Sequence, residues 1–358
     1  MEKLKEEILE RARKAEDCET DYKKAYASNN VEDLLTIIKN NFHFWCFIEI
    51  IDVPLIKKYE TLFNASKIYA NVNVSEGYLI ASGNATVKAS GNAIVIALDN
   101  STVDAFGDTI VTAFDNSSVI ARDNASVKVY DKARVQALAE ATVRAYDNSF
   151  VRARYNSTVR ARYNSTVIAY DNVTVEAYDN SSVTAFDNSS VQALAEATVR
   201  ACDNVTVEAW DNSTVRAYDN STVRARDNSS VEVHNCSIVQ ASGSSSVEAY
   251  NYTNVRAWDN SRVKASGHST VIASNYAKVT ASWDATVRAY DKSTVIARDN
   301  VTVEAWNDVT VETYDDVYVT SKDTIPKVVL KDSAIYKILE TNKVYSTSET
   351  IKFEKWKN

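Results

Sequence analysis

The chain has 358 residues, 45% hydrophobic and 25% charged, values that exclude a wholly disordered polypeptide. Its formal charge of −8 argues against a general binder of nucleic acid or anionic membrane and leaves room only for a local basic patch. Six Gly, two Pro and one Met against twenty Tyr mark a composition skewed by the copying of a small unit.

Residues 1–64 predict a helical head: a charged amphipathic segment from Glu2 to Asp17, Asn30 as N-cap before VEDLLTIIKN, an apolar stretch from Phe42 to Ile51, and a further segment after Pro54. Phe42, Phe44, Trp45, Phe47, Ile48, Ile50 and Ile51 are expected to form the head's own core, and the head also suits a dimerisation or partner module. The start lacks the apolar run of a secretory signal, and no stretch of about 18 apolar residues follows, so the expectation is a cytoplasmic protein with no membrane contact. Cys18, Cys46, Cys202 and Cys236 lie far apart with no CxxC spacing and are expected to be reduced thiols, neither a disulfide framework nor a zinc site.

Residues 65–82 lead into the dominant signal. Written in rows of eight, the sequence keeps one register from Ser75 to Lys322, 31 rows without an insertion, as in DNSTVRAY (Asp211 to Tyr218) and DNVTVEAW (Asp299 to Trp306). In the 30 rows from Gly83, position five is always Val, position seven is Ala in 26, and position three is only Ala, Ser, Thr or Val. Positions three, five and seven share one strand face, which is therefore small and largely apolar, while positions four, six and eight carry Thr or Ser, then charged residues, then aromatics or Arg on the other. Positions one and two, Asp, Gly or Asn followed mainly by Asn, are turn residues.

Each row thus predicts a short strand plus a corner, and stacked rows share a core that no single row could bury. The small inner residues leave only a thin gap, which favours two rows, 16 residues, per coil. The fold class is mainly β: a parallel β-solenoid of about 15 coils over 65–322, a rod on the order of 70 Å long at about 4.8 Å per strand. Asparagine ladders are expected along its corners. Residues 323–358, with KVVLKDSAIYKIL and KVYSTSETIKFEKW, predict a lysine-rich capping β segment, the head capping the opposite end.

The rows resemble the tandem octapeptides of bacterial ice-nucleation proteins, in which Ser-Thr-Leu/Val-x-Ala recurs and two octads form one coil; here the phrase is Ser213-Thr214-Val215-Arg216-Ala217. They also resemble uncharacterised bacterial and phage proteins with AYDNATVRAYDNATV-type arrays behind a short helical head. Ice-organising surfaces in the first family use Thr-x-Thr rows, and no row from 83 to 322 has Thr at both positions four and six, so ice activity is disfavoured.

His43, His234 and His268 are isolated, and no phosphate loop, dinucleotide fingerprint or nucleophile elbow occurs, so the expectation is a non-enzymatic protein without cofactor or metal. One stretch departs from the acidic background: Arg144, Arg152, Arg154, Arg160 and Arg162 face only Glu140 and Asp147 between 139 and 170, and Tyr155 and Tyr163 replace the corner Asp. Arginine forks beside aromatic faces suit phosphates and stacked bases; the same residues equally suit pairing with neighbours at a solvated surface. In a two-row coil Arg152 and Arg154 lie on one sheet and Arg160 and Arg162 on the other. A second candidate is the position-eight aromatic stripe of alternate rows: Phe114, Tyr130, Tyr146, Tyr178, Trp210, Trp258, Tyr290 and Trp306. The leading expectation is a structural or interaction protein that presents an Arg/Tyr/Thr/Asp surface to a protein partner or to itself. A module for a phosphate-bearing ligand and an acidic mimic of nucleic acid are the alternatives.

Overall fold

The computed structural model describes residues 2–14, 19–322 and 326–347. It is mainly β, with parallel sheets stacked as a β-solenoid of about sixteen coils behind N-terminal helices. Contacts divide the chain into two compact units, 1–168 with 172–174, and 169–171 with 175–358.

Each array strand covers positions four to seven of its row, as in Thr214–Ala217 with Val215 and Ala217 fully buried. Parallel partners lie sixteen residues apart, Thr198 on Thr214 in one sheet and Thr206 on Thr222 in the other, so successive rows alternate between a 19-stranded first sheet and a 16-stranded second sheet. Valine thus stacks on valine and alanine on alanine, each Val contributing about 1.5–3 kcal/mol by leaving water. Position three is buried too. Where it is Ser, the hydroxyl can turn back to the last carbonyl of the preceding row: Ser117 donates to Phe114 O at 2.7 Å and Ser221 to Tyr218 O at 2.6 Å.

The corners explain the Asp-Asn pair. Position one is left-handed throughout, for instance Asp99 at φ 55°. In one corner form only this residue is left-handed, and the next N–H donates to the coil before, Asn100 N to Gly83 O at 3.0 Å. The Asp carboxylate then accepts from the preceding coil's corner, as Asp99 does from Gly83 N at 2.8 Å and Asp115 from Asp99 N at 3.1 Å. In the other form both residues are left-handed, Asp203 at 62° and Asn204 at 64°, and the intervening peptide is flipped: Asn204 N donates to Asp219 O of the following coil at 3.1 Å. Asp and Asn tolerate this backbone better than branched residues. The amide ladder foreseen from the sequence takes a different chemical form. At some corners the amide donates to a carboxylate of the coil before, as Asn124 Nδ2 to Asp108 Oδ1 at 3.3 Å and Asn235 Nδ2 to Asp219 Oδ1 at 3.2 Å.

The head comprises α1 (Glu2–Lys14), α2 (Glu19–Ala27), α3 (Val31–Asn40), α4 (Phe42–Phe47), α5 (Val53–Lys58) and α6 (Glu60–Ala65). Asn30 caps α3 by accepting from Asp33 N at 2.8 Å, Asp52 caps α5 through Leu55 N at 2.8 Å, and Pro54 sits in the first turn of α5. Leu4 and Ile8 of α1, Leu34, Leu35 and Ile38 of α3, and Trp45 are buried together with Ile80 and Ile96. Those two isoleucines are outward-facing position-six residues of the first sheet. The head therefore covers the outer face of the first coils as well as meeting the first strand, Ile68–Ala70, through α5 and α6. Of the apolar cluster assigned to the head's core, Phe47 departs: it is 59% exposed.

Beyond Lys322 the solenoid goes on with one extra residue in the coil, Tyr318 pairing in parallel with Ile335, and Lys343–Ser346 then pairs antiparallel with Ile335–Ile338. Residues 323–325 and 348–358, including Trp356, lie outside the described residues, as does Cys18.

Two outcomes are expected. Asp203→Val, which forces a branched side chain into the left-handed corner, lowers stability by about 1–3 kcal/mol in urea unfolding, whereas Asp203→Gly does not. A thiol reagent labels exposed Cys236 in the native protein but reaches Cys46, which is 1% exposed and whose thiol burial pushes well above its ordinary range, only after unfolding.

Candidate interaction surfaces

Parallel register decides which outer side chains meet, because position six of one coil lies beside position six of the next at about 4.8 Å. Opposite charges occupy several of these neighbouring sites, although Arg200 lies beside Arg216 and Glu232 beside Glu248. Arg216 meets Glu232 at 3.0 Å, Arg224 meets Glu208 at 3.0 Å, Lys264 meets Glu248 at 2.9 Å and Arg288 meets Glu304 at 3.0 Å, each pair sixteen residues apart. These exposed pairs add at most about 0.2–1 kcal/mol each. They offset part of the repulsion where like charges do stack strand on strand, as Arg216 beside Arg200 and Glu248 beside Glu232. The Glu232 carboxyl is held below its usual range by the hydrogen bond from His234 and by the nearby Arg216.

The sequence-selected arginines divide between the sheets. Arg144, on Thr142–Ala145, is in register with Arg160 on Thr158–Ala161 in the first sheet, while Arg152, on Phe150–Ala153, pairs with Gln136 in the second. Arg154 and Arg162 directly follow the strands that carry Arg152 and Arg160. Tyr155 and Tyr163 occupy left-handed corners at φ 55° and 49°, 52% and 51% exposed. Arg152, Arg154, Arg160 and Arg162 all engage neighbouring groups. Lys128, which was not singled out from the sequence, lies in register with Arg144 on its other side. Its signal was present, a cation at position six one coil before Arg144.

The aromatic stripe is a set of short stacks. In the first unit Phe47 of α4 leans on Phe114 (5.1 Å between centroids), Phe114 stacks on Tyr130 (5.1 Å) and Tyr130 on Tyr146 (4.9 Å). In the second unit Arg226 covers Trp210 at 4.4 Å, Tyr290 stacks on Trp306 at 4.5 Å and the Tyr178 hydroxyl donates to Glu176 at 3.2 Å. Trp258 lies between coils that carry Ser242 and Ser274 at the same position, so no ring flanks it in the stripe. The second sheet has stacks of its own that the sequence reading did not single out, Tyr218 on His234 (5.1 Å) and His234 on Tyr250 (4.8 Å).

Another feature also escaped that reading. Trp283 is 66% exposed at a left-handed corner with φ 52°, where neighbouring rows place Asp, Asn or Gly. One coil earlier His268 tilts against Tyr252 at 5.0 Å, and Tyr252 is itself 60% exposed with φ 62°. The signal was a large ring in a turn position.

Among the described residues no group of three or more His, Cys, Asp and Glu side chains is placed to hold a metal ion, and no helix is long and apolar enough to cross a membrane. A cleft of about 340 Å³ between α4, α5 and the first sheet is lined by Phe47, Pro54, Leu98 and Phe114 with Asp52 and Asp99.

Because its carboxyl is depressed in the folded protein, Glu232 adds stability above the ordinary carboxylate range, near pH 4.3, and loses it as the pH falls through the lowered value. Glu232→Gln is therefore expected to lower the urea midpoint near pH 7 but not near pH 3, giving a flatter pH–stability curve than the parent. Comparison with family models, with curated proteins and with solved structures found no match to this chain.

Proposed function

We propose that the chain is a non-enzymatic structural or interaction protein whose solenoid faces and corners bind a macromolecular partner or a second copy of itself. The observation that carries this reading is the aromatic corner of the second unit. Trp283 and Tyr252 meet neither the backbone preference of a left-handed turn nor the solvation preference of a large ring, since both are more than half exposed at positive φ. Large exposed rings are the side chains that anchor protein interfaces. The repeating register supports the same reading, because it returns one chemical group to the same place coil after coil and so multiplies a weak contact.

The test uses substitutions that restore ordinary corner residues and so spare the fold. Trp283→Asp with Tyr252→Asn is expected to leave the circular dichroism and urea midpoint within experimental error of the parent. It is also expected to cut self-association in sedimentation velocity, or capture of a binding partner from native-host extract, at least about tenfold. A parent that stays monomeric at all concentrations and captures nothing that the variant loses would overturn the proposal.

A further inference from the structure

Among the register pairs described, the position-six column through Lys128, Arg144 and Arg160 sets three cations in succession, where the second sheet sets at most two like charges together, Arg200 with Arg216 and Glu232 with Glu248. Register places Arg144 directly between Lys128 and Arg160, three cations on successive strands of the first sheet. All three are exposed. Like charges at strand spacing repel, and in the second unit Arg216 and Arg224 each have a Glu on one side, which no residue in register with Arg144 supplies. Arg160 also engages a neighbouring group, while Lys128 and Arg144 leave like-charge repulsion along the column. An added anion relieves it.

The surroundings narrow the kind of anion. Alongside the cations runs the ring column Phe114, Tyr130 and Tyr146, stacked face to face at 8° and 12°, so these rings keep their faces for one another and offer edges and hydroxyls. Acids stand at the corners on either side, Asp123 and Glu140 before the strands and Asp131 and Asp147 after them. His43 of α4 lies near Lys128, whose charge helps to depress its pKa after burial, and so adds no negative group. A basic strip fenced by carboxylates suits one row of phosphates, whereas the second backbone of a duplex would lie over the acids. At the third coil the fence opens, because exposed Tyr155 and Tyr163 occupy the corners on either side of Arg160 and Arg162. Their rings are available to stack on bases.

We propose that this strip binds single-stranded nucleic acid, its phosphates along Lys128, Arg144 and Arg160 and a base on Tyr155 or Tyr163. The surface is separate from the Trp283 corner, so the two proposals fail separately.

The probe is a fluorescein-labelled oligo-dT titrated with the full chain and read by anisotropy over a salt series, with heparin as a second probe. Binding is expected to weaken steeply with salt, each of about three phosphate contacts adding about 0.7 to the log–log slope. Lys128→Glu with Arg144→Glu is expected to weaken it at least about tenfold and to remove about two contacts from the slope. Tyr155→Ala with Tyr163→Ala is expected to weaken oligo-dT about fivefold or more and to leave heparin unchanged. Lys264→Glu, on the second sheet of the other unit, is the control and is expected to change nothing. Lys128→Glu alone places an acid beside Arg144, the arrangement already seen at Arg216 and Glu232, so loss of binding in that variant cannot be assigned to unfolding. No binding at low salt, binding indifferent to the Lys128 and Arg144 substitutions, or oligo-dT binding as indifferent to the tyrosine pair as heparin binding would each overturn the proposal.

Discussion

Every side chain in the array has to tolerate its own kind one strand away. Parallel pairing at a fixed interval of sixteen residues sets each position beside the same position of the coils before and after, as Val199 is set beside Val215 and Ala201 beside Ala217. Valine and alanine satisfy that condition inside, because identical apolar surfaces interlock at constant spacing and leave no void. Rings satisfy it outside by stacking, as Tyr130 and Tyr146 do at 4.9 Å. Charged groups do not, and along position six the surface meets the difficulty in part by setting an opposite charge on one side, as Glu232 beside Arg216 and Glu248 beside Lys264. The constraint thus turns an eight-residue pattern into a rule about neighbours sixteen residues away.

The same condition operates at the corners. A left-handed residue must recur at position one of each row, and its peptide groups must find partners in an adjacent coil. The carboxylate of Asp99 closes the open N–H of Gly83, and the flipped peptide between Asp203 and Asn204 directs its N–H to the following coil instead. Asp is useful in this place for its backbone tolerance and its acceptor oxygens together, so the acidity of the chain is in part a by-product of its architecture. That makes a run of cations such as Lys128, Arg144 and Arg160 more conspicuous chemically than it would be on a neutral scaffold.

Much of this was legible in the sequence because the relevant interactions are local and periodic. The alternation within DNSTVRAY gives the strand, its faces and its corner, and the narrow inner residues give two rows per coil. Asn30 was readable as a helix start because capping is a contact across three residues, whereas Asp52, which caps the helix that holds Pro54, was not singled out. Features that depend on tertiary contact were less accessible. Ile80, Ile96 and Leu98 look like drifted repeat positions until the head is seen against them, and the extra residue in the coil between Tyr318 and Ile335 shows only once the strands are paired. The arginine patch was visible as a run of similar letters, but its division between sheets makes Lys128, distant in sequence, a nearer neighbour of Arg144 than Arg152 is. Trp283 passed unnoticed because one unusual letter at a turn carries little weight until its exposure is known.

The alternation of rows between two sheets limits how such a chain can change length. Loss or gain of a single octad would send every later row to the opposite sheet, exchanging the two outer faces downstream and breaking each column of matched charges and rings at the join. Removal or duplication of two octads keeps all later residues on their own side and merely shortens or lengthens the columns. Recombination between near-identical rows would therefore be tolerated in steps of sixteen residues and disruptive in steps of eight, although both leave the octapeptide phrase intact in the gene.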